Sequence, residues 1–251
     1  MAKQPLISII TVVFNGAKFL EETIKSIASQ TYQNIEYIII DGGSTDGTID
    51  IIKKYESKIT KWISESDKGI YYAMNKGLKM ASGDYVWFMN AGDVIYSRQT
   101  LEDILKISSE NTVDVYYGET EEIDEQGNLV GMRRLKAPEK LTWKSLSMGM
   151  IVCHQSIIIR KKLCDEYNIK YRISADIDWI INALKKSKNI VNTHLILSKF
   201  QHGGLSRNNI MKGLKERFEI MGRNYGIMPT VFNHFVIGTK FFLFLLRNRR
   251  Y

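Results

Sequence analysis

The first 95 residues alternate between apolar runs and amphipathic segments, and this alternation limits the chain to one class of fold. Runs rich in isoleucine, valine and aromatic residues predict four strands, at 6–14, 35–40, 59–64 and 85–89. Helical periodicity predicts three helices between them, at 17–29, 49–55 and 70–80. Strands that alternate in this way with helices build βαβ units, and βαβ units build a mainly parallel sheet covered by helices. The sequence therefore predicts an α/β fold of the Rossmann-like type.

The second half is less regular. Its predicted elements are a helix at 100–108, a strand at 113–117, a small β-hairpin at 119–134, a strand at 156–160, a helix at 176–186 and a strand at 190–200. Paired glycines predict a loop at 201–206. We expect one domain over 1–225, with halves at 1–95 and 96–225 and a separate terminal segment at 226–251.

Net charge and cysteine content limit the kinds of binding partner and the compartment that we expect. The formal net charge is +8, but three of these charges, Arg247, Arg249 and Arg250, lie in the last five residues. The remaining basic residues form neither a recognition helix nor an aromatic-basic RNA motif, so we expect no nucleic acid partner. An anionic small molecule or a membrane surface fits the charge better. Two cysteines are too few for a disulfide framework, and the start of the chain shows no signal peptide, so we expect a cytoplasmic protein.

The terminal segment predicts an amphipathic helix that contacts a membrane surface. Its unbroken apolar run, 241–246, is far shorter than the roughly 18 to 20 residues that span a bilayer. An apolar helix that ends in a basic cluster suits peripheral contact with anionic lipid at the cytoplasmic face. The alternative is a helix that packs on the domain or on another subunit, as in a homodimer.

Acidic residues follow the predicted strands or lie in adjoining loops. They are Asp41, Asp67, Asp93 and Asp176. Open α/β sheets bind ligands at the carboxyl ends of their strands, and acids gathered there are costly to bury without a cation or hydrogen-bond donors. Asp93 ends the segment Asn90-Ala91-Gly92-Asp93 and is placed to hold a divalent cation against a phosphate. Asp41 has an alternative role in forming the turn before Gly42-Gly43, and Asp46 is explained as a helix N-cap.

Six segments in order resemble the family 2 glycosyltransferases. They are 8–15, 40–48, 65–71, 74–77, 81–85 and 88–93, and the match is dense over about 6–95. The resemblance implies the GT-A fold and an inverting enzyme that uses a nucleotide-sugar donor. It is closest to bacterial polysaccharide-assembly transferases whose metal motif reads Asn-x-Gly-Asp.

This resemblance implies a role for each matching residue. The residues implied to contact the nucleotide-sugar are Thr11, Phe14, Asn15, Asp41, Asp67, Lys68, Gly69, Asn75, Asn90, Ala91 and Gly92. Asp93 would bind Mg²⁺ or Mn²⁺, with uncharged Asn90 in the place of a second acid. His202 is a further candidate metal ligand, with a structural or solvent-exposed role as the alternative.

Short segments of the second half also match the family, and they imply which residues contact the acceptor. An inverting transferase needs a base to deprotonate the acceptor hydroxyl, and Asp176 matches the acidic motif that supplies it. Asp178 is the alternative base. The candidate acceptor or phosphate contacts are His154, Gln155, Gly203, Gly204 and Arg207.

The predicted function is metal-dependent transfer of a sugar, with a UDP-sugar donor favoured, to a saccharide or lipid-linked saccharide in cell-surface polysaccharide synthesis. A nucleotidyltransferase and a non-catalytic sugar-nucleotide-binding protein at a membrane are the alternatives. A dinucleotide oxidoreductase is disfavoured because no GxGxxG follows the first strand.

Overall fold

A computed structural model describes residues 4–107, 112–201 and 209–248. Its strands are β1 (Ile7–Val13), β2 (Ile35–Asp41), β3 (Lys61–Ser64), β4 (Tyr85–Phe88), β5 (Val94–Ile95), β6 (Val115–Ile123), β7 (Leu129–Met132), β8 (Ile157–Arg160) and β9 (Ile190–Gln201). Its helices are α1 (Ala17–Ala28), α2 (Thr48–Lys54), α3 (Ile70–Met80), α4 (Thr100–Lys106), α5 (Ala175–Lys186), α6 (Ile210–Tyr225) and α7 (Ile227–Asn248).

The described strands form one sheet in the order β3-β2-β1-β4-β8-β6-β9-β5, with β7 paired to β6. The pairs among β1 to β4 are parallel, which confirms the predicted βαβ arrangement of the first half. Strand β8 then runs antiparallel to both β4 and β6, while β6 and β9 are parallel. The predicted hairpin is the antiparallel pair β6 and β7.

Continuous apolar runs form the central strands because helices cover both faces of the sheet. Successive side chains of a strand point to opposite faces. Accordingly Ile10 and Val12 of β1 pack into one hydrophobic core, and Ile9 and Val13 pack into the other. The carboxyl end of β1 therefore lies between two cores, which fixes the edge of the sheet where ligands bind in such folds.

Two predicted boundaries differ from the structure. The N-cap of α2 is Gly47, in the left-handed conformation at φ +94°, and it is not Asp46. The Asp46 carboxylate instead accepts hydrogen bonds from the main-chain N–H groups of Ala17 and Thr48, so it joins the starts of α1 and α2. The third strand begins at Lys61 because residues 56–58 form a 3₁₀ turn.

Helix α7 begins just after Gly226, whose φ of +89° ends α6. Its first turns pack against α6 and against the 3₁₀ segment Trp143–Met148, where the Asn233 side chain donates to the Ser147 carbonyl at 3.1 Å. Of the helices in the described ranges, none combines the length and hydropathy that crossing a bilayer requires.

Candidate active site

A cavity of about 1100 Å³ opens at the carboxyl edge of the sheet, and both halves of the chain line it. From the first half, the predicted residues on its wall are Phe14, Asn15, Asp67, Lys68, Gly69, Asn90, Ala91 and Asp93. From the second half, they are His154, Gln155 and Asp176. The cavity therefore brings together acids that lie more than 80 positions apart in the sequence.

Asp93 is buried in the cavity wall, with 4% of its surface exposed. Burial raises the pKa of Asp93 to about 7. Hydrogen bonds to the carboxylate act in the opposite direction, and one of them comes from the Gln155 side-chain amide at 2.8 Å. Near neutral pH this carboxyl group is therefore about evenly divided between its neutral and ionised forms. A bound cation would favour the ionised form.

The turn that presents Asp93 depends on its glycine. Gly92 has φ +100°, where a side chain is strained, and a Cβ atom there would lie 2.1 Å from Oε1 of Gln201, whose side chain would have to move. The Asp93 N–H donates to the Asn90 carbonyl at 2.9 Å and closes the turn. Asn90 lines the cavity, and its buried Oδ1 has no hydrogen-bond partner among the described residues. Gly92 itself is not part of the wall; its role is to shape the turn.

The nucleotide side of the cavity contains an exposed aromatic ring and a second acid. Phe14 is 67% exposed at the end of β1, which is unusual for a phenylalanine and provides a surface for an aromatic base. The next residue, Asn15, accepts a hydrogen bond from the Thr45 N–H at 2.9 Å. Asp67 forms an ion pair with Lys76, while its buried Oδ2 has no partner among the described residues.

Asp176 lies in the first turn of α5 and lines the cavity on the side that the second half of the chain provides. Burial raises its pKa, and the main-chain N–H of Ile177 and the hydroxyl of Tyr71 donate to its Oδ1. A carboxylate with a raised pKa is a better proton acceptor than an exposed one, which suits a general base.

Asp178, the alternative base, does not line the cavity. Its side chain is buried in an ion pair with Arg223 of α6, two residues and a different helix face away from Asp176. Asp178 therefore joins α5 to α6, and Asp176 is the one of these two acids that lines the cavity.

His154 and Gln155 both line the cavity, but their side chains have different contacts. The His154 ring is packed against Phe88 and Trp179 and shares a hydrogen bond of 2.7 Å with the Tyr167 hydroxyl. Burial lowers its pKa to about 4, so it is neutral under ordinary conditions. The Gln155 side chain donates to Asp93, the candidate metal ligand, which differs from its predicted contact with the acceptor or phosphate.

Besides Gly92, three predicted nucleotide contacts are absent from the cavity wall. Thr11 is buried, and its hydroxyl donates to the Met89 carbonyl at 2.7 Å beneath the cavity floor. Asn75 is also buried, with its amide oxygen and nitrogen both bonded to the main chain of Tyr167. In this structure both side chains face inward, which differs from direct contact with a nucleotide.

Asp41 is the third of these residues. It is completely buried, and its carboxylate accepts from the main-chain N–H groups of Gly43 and Ser44 and from the hydroxyls of Ser44 and Ser64. These bonds agree with the alternative role of Asp41, which is to form the turn before Gly42-Gly43. Direct contact between Asp41 and a base is therefore not supported.

Comparison with known proteins identifies the family. The family model for Glycosyl transferase family 2 matches residues 8–167, which is more than half of the chain. The chain belongs to glycosyl transferase family 2. The family model thus extends well beyond the dense motifs of the first 95 residues and includes His154 and Gln155.

Relatives of this family 2 glycosyltransferase are known by sequence and by structure. The "PGL/p-HBAD biosynthesis glycosyltransferase" of Mycobacterium bovis is 29% identical over 228 residues, which cover 87% of this chain and 86% of the relative. S. aureus TarS 1-349 in complex with UDP-GlcNAc is similar in structure, with a TM-score of 0.64 at 20% identity over 86% of this chain and 66% of that chain. The present chain spans only 39% of a longer TarS chain.

A third relative is the mannosyltransferase PcManGT from Pyrobaculum calidifontis, in complex with GDP-Man and Mn²⁺. It has a TM-score of 0.63 at 15% identity and covers 95% of this chain and 76% of that chain. At this level of identity the two structural matches establish the GT-A fold, which the sequence predicted.

The cavity residues of this glycosyltransferase fit a hard divalent cation that is held by only one or two oxygen atoms of the protein. Within the described ranges, no three His, Cys, Asp or Glu side chains form a metal-binding group. Mg²⁺ is commonly held by one or two protein oxygens together with substrate phosphates. The unpartnered Asn90 oxygen and the Asp93 carboxylate match that pattern. The predicted residues His202, Gly203, Gly204 and Arg207 lie outside the described residues.

The sequence missed three cationic residues of the cavity wall, which are Arg133 just after β7, Arg172 and Arg217. Arg172 precedes α5, and Arg217 belongs to α6, a helix for which no prediction exists. The signal was weak because the buried residues of α6 include Gly213 and Glu216 as well as the apolar Ile220 and Met221. A buried face of this composition does not show ordinary hydrophobic periodicity.

Proposed function

We propose that this chain is a metal-dependent, inverting glycosyltransferase that moves a sugar from a nucleotide-sugar to a hydroxyl of a saccharide or lipid-linked saccharide. The observation that supports this most strongly is the single cavity that Asp93 and Asp176 line from different halves of the chain. One carboxylate is suited to a cation and the other to a proton, and both functions are required at one anomeric carbon.

The donor would lie along the carboxyl ends of β1 and β4. Phe14 offers a face for the base, and Asn90 and Asp93 are the residues that would hold the cation. A bound divalent cation neutralises the charge that develops on the departing diphosphate. Gln155 keeps the Asp93 carboxylate oriented through the hydrogen bond to its Oδ2.

The acceptor would approach from α5. Asp176 accepts the proton of the acceptor hydroxyl while that oxygen forms a bond to the anomeric carbon. The bond between this carbon and the diphosphate oxygen breaks in the same displacement, so the configuration of the carbon inverts. The Tyr71 hydroxyl and the Ile177 N–H hold the Asp176 carboxylate in place for this step.

The complexes of related proteins support this assignment of substrates. TarS binds UDP-GlcNAc, and PcManGT binds GDP-Man with Mn²⁺. We favour UDP for the present chain on the resemblance of its motifs. Family membership disfavours a nucleotidyltransferase, and turnover of a nucleotide-sugar would distinguish an enzyme from a sugar-nucleotide-binding protein.

We also propose that the start of α7 contacts an anionic membrane, which would bring the cavity to a lipid-linked acceptor in polysaccharide synthesis. Large apolar side chains of this helix are exposed, namely Met228, Val231, Phe232 and Phe235. Their spacing places them along one stripe, and the sequence after α7 is basic. The same helix packs on residues 143–148 through Asn233, which lies outside this stripe, so the stripe is left free for the proposed contact with lipid.

Vesicle sedimentation with phosphatidylglycerol-rich liposomes tests the membrane proposal. We expect the double variant Phe232→Glu, Phe235→Glu to lose most of its binding. Val130→Glu, which changes an equally exposed apolar residue on β7, should bind as the wild type does. Equal binding by the double variant would exclude α7 as the contact.

The enzymatic proposal is tested by incubating the full chain with a panel of UDP-, GDP- and dTDP-sugars and Mg²⁺ or Mn²⁺, and by measuring release of the nucleotide. We expect turnover of at least one donor, and Asp176→Asn should reduce transfer by about 100-fold or more while donor binding is retained. Asp50→Asn is a matched control because Asp50 is an exposed acid in the first turn of α2. Full turnover by Asp176→Asn would place the base elsewhere.

A further inference from the structure

Arg172 and Arg217 form a cationic pair on the wall of the cavity, on the side that the second half of the chain provides. The cation site and the donor contacts account for neither residue. Their charge therefore calls for a ligand of its own.

Arg217 is a half-buried guanidinium group, and Asp176 is the acid on which its charge acts. Its Nε atom is buried and has no hydrogen-bond partner, and no ion pair joins it to another residue of the described ranges. Other arginines nearby are fully engaged: Arg223 pairs with Asp178, and Arg133 donates to main-chain carbonyl groups. A buried N–H group without an acceptor is costly, and a bound anion would accept its hydrogen bond.

Glu216 fixes Arg217 beside the start of α5. Its carboxylate accepts hydrogen bonds from the main-chain N–H groups of Arg172, Ile173 and Ser174, at 3.0, 2.8 and 3.0 Å. This buried clamp attaches α6 to the segment that immediately precedes Asp176. The two arginines and the candidate base are therefore held as one unit.

Arg217 also lies within electrostatic reach of Asp176. Burial raises the pKa of the Asp176 carboxyl, and the positive charge of Arg217 acts in the opposite direction. The guanidinium group and the base thus belong to the same side of the cavity.

The chemistry of inversion assigns that side to the acceptor. This step rests on the proposed function. In an inverting displacement the attacking oxygen and the departing diphosphate lie on opposite sides of the anomeric carbon. A cation that accompanies the base therefore lies near the attacking molecule and away from the diphosphate.

We propose that Arg217, together with Arg172, binds a phosphate group of the acceptor next to the hydroxyl that Asp176 deprotonates. Planar guanidinium groups bind phosphate oxygens through paired hydrogen bonds, and two of them suit a doubly charged phosphate ester. The acceptor class is accordingly a phosphorylated saccharide or a phosphate-linked carrier. The donor diphosphate is the other source of the same chemistry, and the test separates the two.

The test is a titration of inorganic phosphate into the full chain after saturation with UDP and Mg²⁺, followed by ³¹P NMR. UDP occupies the donor phosphate positions, so any further binding reports a second anion site. We expect wild type to bind one phosphate, Arg217→Gln to weaken this binding by about ten-fold or more, and Arg217→Lys to weaken it less. UDP affinity should stay within about two-fold in both variants.

Lys212→Gln is the matched control, because Lys212 is an exposed cation of the same helix that does not line the cavity. It should bind phosphate as the wild type does. Circular dichroism and the melting temperature establish that each variant is folded, and Arg172→Gln provides a second variant at an exposed position.

Two results would overturn the acceptor site. One is that Arg217→Gln weakens UDP and leaves phosphate binding unchanged, which would assign Arg217 to the donor. The other is that UDP-saturated wild type binds no phosphate. Failure of wild type to bind UDP would instead contradict the proposed function, and the phosphate titration without nucleotide would then still compare Arg217→Gln with Lys212→Gln.

Discussion

Asp93 should reduce the stability of the metal-free protein, and replacing it with asparagine should reveal by how much. Burial raises its pKa from 3.8 to about 7 in the folded chain. This difference corresponds to about 4 kcal/mol of preference for the neutral form. Because the unfolded chain ionises Asp93 freely, the folded state loses stability as pH rises.

The sign and the pH range follow from these values. A carboxyl group with a raised folded-state pKa has no effect on stability below about pH 4, has a growing cost between about pH 4 and 7, and has its full cost above that range. Between about pH 5 and 8, wild type should therefore lose roughly 2 to 3 kcal/mol relative to Asp93→Asn. Asparagine can still accept the hydrogen bond from Gln155, so the variant removes the charge with little change of shape.

Urea denaturation of metal-free protein at about pH 5 and pH 8 measures this difference, with Asp50→Asn as the control for an exposed acid. We expect Asp93→Asn to gain stability over wild type as pH rises, and Asp50→Asn to follow wild type. If wild type and Asp93→Asn change in parallel over this range, the Asp93 carboxyl ionises without cost in the folded chain. The reasoning from its burial would then be refuted.

Two further predictions concern residues under the cavity. His154 has its pKa lowered to about 4 by burial, so its contribution to stability is complete above about pH 6.5 and is lost as pH falls toward 4, at a cost of about 3 kcal/mol. Acid denaturation of His154→Gln should be shallower than that of wild type, and an identical profile would contradict this. Asn75→Ala should destabilise the fold by roughly 1 to 3 kcal/mol, because it leaves the main chain of Tyr167 unpaired; a purely nucleotide-binding Asn75 would instead change UDP affinity and leave the melting temperature unchanged.

The sheet could be predicted because its central strands are buried on both faces. A strand such as β1 is buried along its whole length and is therefore mostly apolar, and this pattern can be recognised in the sequence without knowing the neighbouring strands. Helix α6 left no such pattern. Its docking depends on the Glu216 carboxylate and on the close approach allowed at Gly213, while Ile210, Met211 and Leu214 are exposed. Tertiary contacts, and not periodicity, determine that helix.

The sequence indicates which residues follow strands and so lie near the cavity, but it does not indicate the direction in which their side chains point. The position of Asp93 just after a buried strand placed it on the cavity wall, and the acidic motif placed Asp176 there. The acidic motif favoured Asp176, but Asp178 stayed as the alternative because the choice depends on which face of α5 meets α6. Likewise Thr11 and Asn75 lie in segments that border the cavity but point into the core.

The binding of UDP with and without Mn²⁺ tests the central claim most directly. Isothermal titration at about pH 8 should show that Mn²⁺ strengthens UDP binding to wild type by about ten-fold or more, and that Asp93→Asn loses most of this gain. Wild type that binds UDP equally well with and without Mn²⁺, or an Asp93→Asn variant that keeps the full gain, would contradict the assignment of Asp93 to the cation.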